Sequence, residues 1–385
     1  METVWWLLKQ LYNKDLLYKG YTIQPYSPKA GTGLSSHELN QPGTYRDVSD
    51  TTIVAQFKVK QLSEALNTKL STGSINSCEI GSNTCGGALH WEEFDTGNQQ
   101  PTANNQIHIL AWTTTPWTLP SNTALAVGKD IEYVLVKTFN QYTNEPINII
   151  LAKVLLTKNF GKKYYEVSAE ELITVPPSGE KGLPYTILAE FKGSDLAGTT
   201  YEQLIPWFSP AEDAEKAFRV IVGDFVTTED GTGIVHIAPT FGADDARVAK
   251  ENGIPPMLIK DENDNLVPLV DLQGKFVKGD NVPELFSGKY IKNEYYDANA
   301  PEKSWDVELA ILLKTENKAF KVEKYVHSYP HCWRTDKPVL YYPLDSWFVK
   351  MTSVRERLVD LNKTINWKPK ATGRRAFCQL VRKCK

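Results

Sequence analysis

The chain has 385 residues, a hydrophobic fraction of 41% and a formal net charge of −3, enough for two or three compact units with a sizeable core. No run approaches the roughly 20 apolar residues that a membrane-crossing helix needs, and residues 1–10 lack the basic region and cleavage pattern of a secretory leader, so a soluble, cytoplasmic protein is expected. The near-neutral charge argues against a generally basic nucleic-acid binder, but decides little, because a local groove can still hold phosphates.

Val4, Trp5, Trp6, Leu7, Leu8, Leu11, Leu16 and Leu17 recur at helical spacing, which predicts an amphipathic helix that Gly20 can end. Residues 21–26 alternate as a short strand, and Ser27-Pro28-Lys29-Ala30-Gly31-Thr32-Gly33 reads as a glycine-containing turn. From Thr51 onward β-branched and aromatic runs take over, at 51–59, 106–112, 133–138 and 147–156, predicting a strand-rich domain. Residues 70–104, rich in Ser, Asn, Gly and Thr, read as a long exposed excursion or a loose hairpin.

Residues 224–239 read as two strands joined at Asp230-Gly231, with Pro239 ending the second. After Thr240-Phe241-Gly242, the acidic Asp244 and Asp245 precede Arg247 and Lys250, the charge order that suits a helix dipole. Residues 325–348 are aromatic and proline-rich, with a strand at 339–342 returning beside the first stalk. No internal repeat is evident. The five cysteines (Cys78, Cys85, Cys332, Cys378, Cys384) are odd in number and scattered, so reduced thiols are expected.

Two stretches have the composition of a site. In Trp112-Thr113-Thr114-Thr115-Pro116-Trp117-Thr118-Leu119-Pro120-Ser121-Asn122, hydroxyls and methyls alternate with large aromatics at a strand end. Such a wall can seat a small amino-acid ester and leave no room for a longer one, although a threonine-rich strand alone reads the same way. His236 precedes Asp245 by nine residues, with a turn between them. An ionised carboxylate can hold an ammonium group and a histidine can orient water. Read alone, a strand histidine is more often core and an aspartate at a helix start more often a cap.

No Gly-x-Ser-x-Gly elbow or Cys/His motif supplies a nucleophile, so water is the expected attacking group. His37, His90, His108 and His327 lack ligand-like spacing, so no catalytic metal is expected.

In this order, the threonine run and the Gly231-Thr232-Gly233-Ile234-Val235-His236-Ile237-Ala238-Pro239 to Asp245 stretch resemble the signature segments of the editing domain in class I isoleucyl-tRNA synthetases. Valyl and leucyl relatives carry Thr-Thr-Arg-Pro where this chain has Thr115 in the arginine's place. Trp5-Trp6, Ser35-Ser36-His37-Glu38, Tyr329-Pro330-His331-Cys332-Trp333-Arg334 and Asp345-Ser346-Trp347-Phe348 extend the resemblance to near Gly373.

The resemblance implies an α+β fold: a strand-rich, β-barrel-like editing domain with peripheral helices over residues 46–324, on a β-ribbon stalk. Segments 1–45 and 325–373 would adjoin the catalytic domain of a longer enzyme, of which this would be a middle piece. The tail 374–385 departs from the pattern and is assigned no function. Neither His-x-Gly-His nor Lys-Met-Ser-Lys-Ser occurs, so the synthetic site, with its ATP and magnesium, is expected only in the full-length synthetase. Some relatives carry paired Cys-x-x-Cys knuckles. Here those positions read Ser27-Pro28-Lys29-Ala30 and Cys332-Trp333-Arg334-Thr335, so no zinc is expected.

The implied activity is hydrolysis of valine mis-attached to isoleucine tRNA, whose acceptor end and the rest of the synthetase would be the partners. Asp245 would hold the α-ammonium group and His236 would place substrate and water. Thr113, Thr114 and Thr115 would line the pocket, Asn122 support it, and Trp112 border it. Isoleucine and valine, one methylene apart, are the standard illustration of a difference worth only about 1–3 kcal/mol to a binding pocket, so a second, excluding site is needed. A non-catalytic module that docks the tRNA acceptor end is the alternative from a different class.

Overall fold

The computed structural model describes residues 1–71, 106–174 and 182–369. Most of the excursion predicted over 70–104 and the tail after 373 lie outside these residues, as do Cys78, Cys85, His90, Cys378 and Cys384. Contacts divide the chain into two units, one of Met1–Ile23 with Pro343–Lys385 and one of Gln24–Tyr342.

In chain order the strands are β1 (Leu17–Ser27), β2 (Thr32–Gly33), β3 (Tyr45–Gln61), β4 (Ile107–Thr113), β5 (Ala124–Val127), β6 (Glu132–Phe139), β7 (Pro146–Ala152) and β8 (Tyr164–Glu166). They continue as β9 (Leu183–Lys192), β10 (Thr200–Tyr201), β11 (Arg219–Val222), β12 (Ile234–Ile237), β13 (Leu258–Lys260), β14 (Leu266–Pro268), β15 (Ala319–Pro330) and β16 (Leu340–Val349).

In the first unit the predicted amphipathic helix runs from Glu2 to Tyr12, with Glu2 in its first turn and Lys9 in its last, each complementing the dipole. None of its residues is buried. Gly20 does not end it: the chain leaves the helix at Asn13, turns at Asp15 in the left-handed region (φ 54°), and carries Leu17 and Gly20 into β1. Tyr18 of β1 stacks on Phe348 of β16 at 5.6 Å, and Lys19 pairs with Asp345 at 2.8 Å.

The second unit is built on a large mixed sheet with peripheral helices, the α+β class expected. Strand β3 organises it. Its stretch from Thr51 to Phe57 is buried without alternation, the mark of a strand covered on both faces. β3 pairs with β15 along residues 45–55, with β4 along 53–58, and with β10 at Val59 and Gln61. Because β10 continues to β11, β5, β12 and back to β4, six strands close a ring. The first half of β4 also pairs with β7, from which the sheet runs on through β6, β9 and β8.

One apolar cluster, including Val54, Leu110, Val134, Ile149 and Phe320, fills the sheet beyond the ring. Another, of Ala124, Ala126, Ile221 and Ile237 with Val248 and Ala249, seats the Ala243–Glu251 helix on β5, β11 and β12. That helix begins where the charge order of Asp244, Asp245 and Lys250 places it.

The hairpin predicted over 224–239 does not form. Only Ile234–Ile237 is strand, and residues 224–233 are turns and bends. Gly231 (φ 75°) and Gly233 (φ 72°) both adopt left-handed backbone, which breaks extension. β12 therefore finds its partners in β5 and β4. The strand predicted to reach residue 156 stops at Ala152, where the chain turns into the Leu156–Phe160 helix.

Candidate functional site

The threonine run leaves β4 at Thr113, forms a 3-10 turn over Pro116–Ser121, and re-enters the ring at β5. Proline suits the first turn position, where its missing N–H is no loss. Beside the run lies β12, parallel to β4 with Val235 opposite Trp112. Strand alternation then puts His236 and Thr113 on one face and Trp112 on the other.

Trp112 is thus not brought to His236. It packs against the Val54–Leu110 cluster, lies edge-on to Tyr325 at 5.3 Å, and has Gly231 pressed on it so closely that a Cβ there would come within 2.9 Å of the ring.

Of the other predicted residues, Thr113, Thr115, Asn122 and His236 are linked in one hydrogen-bonded series, which Asp245 and Thr114 do not enter. The Asn122 amide nitrogen donates to the Ala124 carbonyl at 2.8 Å and approaches the Ile237 carbonyl at 3.4 Å. Because carbonyls only accept, this fixes which way the amide points. The same nitrogen faces Nδ1 of His236 at 3.5 Å, a long contact, and Tyr201 donates to Oδ1 of Asn122 at 2.7 Å. On the other side of the ring, Nε2 lies 2.9 Å from Oγ1 of Thr118, whose own hydrogen goes to the Thr115 carbonyl at 2.8 Å. His236 therefore carries its proton on Nε2, and burial lowers its pKa to about 4, keeping the ring neutral.

Just before the turn, Thr113 Oγ1 accepts from the Thr115 amide at 3.0 Å. Thr114 is half-exposed, and no described residue hydrogen-bonds its hydroxyl.

Asp245 is half-buried in the first turn of its helix, where Oδ2 accepts from the Ala238 amide at 2.9 Å, two residues beyond His236. Burial raises its pKa to about 6; the Ala238 N–H opposes that rise and neighbouring Asp244 adds to it. Gly242 makes the fit possible, since a Cβ there would lie 2.6 Å from Cγ of Asp245. Asp244 is exposed and 3.8 Å from Arg247, a surface pair at helical spacing.

Three contributors carry no local signal. Thr118 lies inside the motif without a distinctive context, while Tyr201 and Asp306 are distant in sequence; Asp306 accepts from the Trp117 amide at 2.9 Å. Among the described residues, no group of three His, Cys, Asp or Glu side chains could hold a metal ion. No helix among the described residues is long and apolar enough to cross a membrane.

Over residues 1–385 the sequence matches the family described as tRNA synthetases class I (I, L, M and V), and the chain belongs to that family. Within it, the chain is similar to isoleucine–tRNA ligases. That of Bacteroides fragilis is 53% identical over 392 residues, covering 98% of this chain and 31% of the relative. The Cytophaga hutchinsonii ligase is 54% identical over 384 residues (97% and 30%), and the Clostridium tetani ligase 40% over 369 (96% and 26%). The chain thus spans about a third or less of their length, and the resemblance read from the threonine run is borne out.

Among solved structures, the crystal structure of GlLeuRS-CP1 is 15% identical and aligns over 71% of this chain and 99% of its own with a TM-score of 0.40. The P. falciparum cytosolic leucyl-tRNA synthetase editing domain is 12% identical (53% and 67%) with a TM-score of 0.33. At that likeness neither identity nor activity follows.

Proposed function

We propose that this chain is the proofreading part of an isoleucine–tRNA ligase, hydrolysing the ester of valine wrongly joined to isoleucine tRNA after transfer. The observation that carries this reading is the neutral His236 held against Thr118 of the threonine turn, with the half-buried Asp245 carboxylate tied to the backbone of the same segment at Ala238, two residues on. We read residues 46–324 as the editing domain, with the acceptor end of the tRNA as its partner. Ligation, with its ATP and magnesium, would belong to the longer protein.

In this scheme Asp245, ionised above about pH 6, receives the α-ammonium group, since one hydrogen bond from Ala238 leaves its carboxylate acceptor capacity to spare. Thr113, Thr114 and Thr115 bound the side chain, and a pocket sized for valine excludes isoleucine by contact rather than by weaker attraction. Water adds to the ester carbonyl and the bond to the ribose oxygen breaks. That oxygen leaves as a hydroxyl carrying a proton from the water, and free valine departs. His236, neutral and holding its proton on Nε2, acts as an orienting donor rather than a strong base. Trp112, on the opposite face, takes a supporting place behind the wall.

The test is deacylation of isoleucine tRNA charged with valine or with isoleucine, by the chain and by Asp245→Ala. Loss of valine alone, abolished by the substitution, is expected. tRNA binding without hydrolysis of either ester would replace this reading with a docking module.

A further inference from the structure

Behind the threonine turn lies a buried group of charges that the scheme above does not use. Lys292 Nζ is 3.1 Å from Oδ2 of Asp50 and 3.5 Å from Oδ2 of Asp306, and stands 5.3 Å over the ring of Tyr329. His327 Nε2 approaches the same oxygen of Asp50 at 3.2 Å. Lys292 and Asp306 are both buried. Such a group seldom stabilises a fold more than apolar side chains of similar volume would, so its geometry calls for another account.

That account is at the other oxygen of Asp306. Oδ1 accepts from the Trp117 amide at 2.9 Å. Pro116 has no N–H, so Trp117 supplies the first donor of the Pro116–Ser121 turn, and Thr115 at its start makes no side-chain cap. The cap comes from the start of the Trp305–Thr315 helix, 189 residues away in sequence. The next residue, Thr118, receives the Nε2 proton of His236.

We infer that Asp306 is a positioning residue of the hydrolytic site: held by Lys292, it caps the threonine turn from outside and so sets the place of Thr118 and the tautomer of His236. This rests on the proposed function only for its kinetic consequence. The tautomer is a property of the chain itself.

The test uses the whole chain, with ring 15N signals of His236 assigned by His236→Gln and valyl-tRNA deacylation measured in parallel. Asp306→Ala is expected to move the ring away from the Nε2–H form and to lower kcat on the order of 10- to 100-fold with KM unchanged. Asp306→Asn, which keeps an acceptor for the Trp117 amide, should retain the wild-type ring signals and most of kcat. Loss of stability alone alters neither the tautomer nor a kcat-against-KM split. Should Asp306→Ala fail to fold, Asp306→Glu decides, since it keeps the charge but displaces the carboxylate, and it should show the same changes. Unchanged His236 signals in the folded variant overturn the inference. If the wild-type chain hydrolyses nothing, the proposed function fails while the ring signals still decide the role of Asp306.

Discussion

Thr118 Oγ1 lies 2.9 Å from Nε2 of His236 and donates its own hydrogen to the Thr115 carbonyl, so it can only accept from the ring. One hydroxyl thereby joins the two sequence motifs, 118 residues apart, and settles which imidazole nitrogen carries the proton.

Thr118→Val keeps the shape of that side chain and removes the acceptor. A buried N–H left unpaired costs about 1–3 kcal/mol. Urea denaturation should show a loss of that order, and the His236 ring should no longer favour a single tautomer.

Tyr201→Phe deletes the hydroxyl that donates to Oδ1 of Asn122. The phenol is buried, and so is the amide it serves, so the orphaned carbonyl oxygen again costs about 1–3 kcal/mol. Deacylation should fall as Asn122 loses its fixed orientation, whereas Asn122→Ala should make the Tyr201 change nearly silent in a double-mutant cycle.

For Asp245 the pH dependence follows from its pKa, raised to about 6 by burial. If the ionised form holds the α-ammonium group, kcat/KM should rise with pH through about 6 and then level off. The folded pKa exceeds that of the unfolded chain, so the folded state holds the extra proton and stability falls as pH rises between about 4 and 6. Asp245→Asn should therefore melt higher than wild type at pH 7.5, lose that advantage near pH 4, and lack the activity step. A wild-type activity profile flat between pH 5 and 7 would contradict this role.

Gly242→Ala tests the same carboxylate by displacement. Gly242 has an ordinary φ of −126°, so alanine is not strained there, but its Cβ would meet Cγ of Asp245 at 2.6 Å. Hydrolysis of valyl-tRNA should fall at least as far as in a 1 Å misplacement, on the order of 100-fold, with circular dichroism unchanged.

The sequence by itself determined the elements whose signals are local. The β-branched run from Thr51 to Val59 marks β3, Asp244 and Lys250 mark the two ends of a helix, and the threonine run with Gly231 to Asp245 carries the family resemblance. Local patterns failed where a residue's fate is decided by something far along the chain. Residues 224–233 look extended, yet their two left-handed glycines turn them, and β12 pairs with β4 and β5. Trp112 belongs to the motif, but the register with Val235 faces it away from His236. Tyr201 and Asp306 reach the site from strands and helices with no sequence mark of their own, because hydrogen-bond acceptance across 79 or 189 residues leaves no periodicity to read. Only the closed ring of strands, which brings those distant groups into one buried space where water cannot replace them, decided the tautomer of His236 and the capping of the threonine turn.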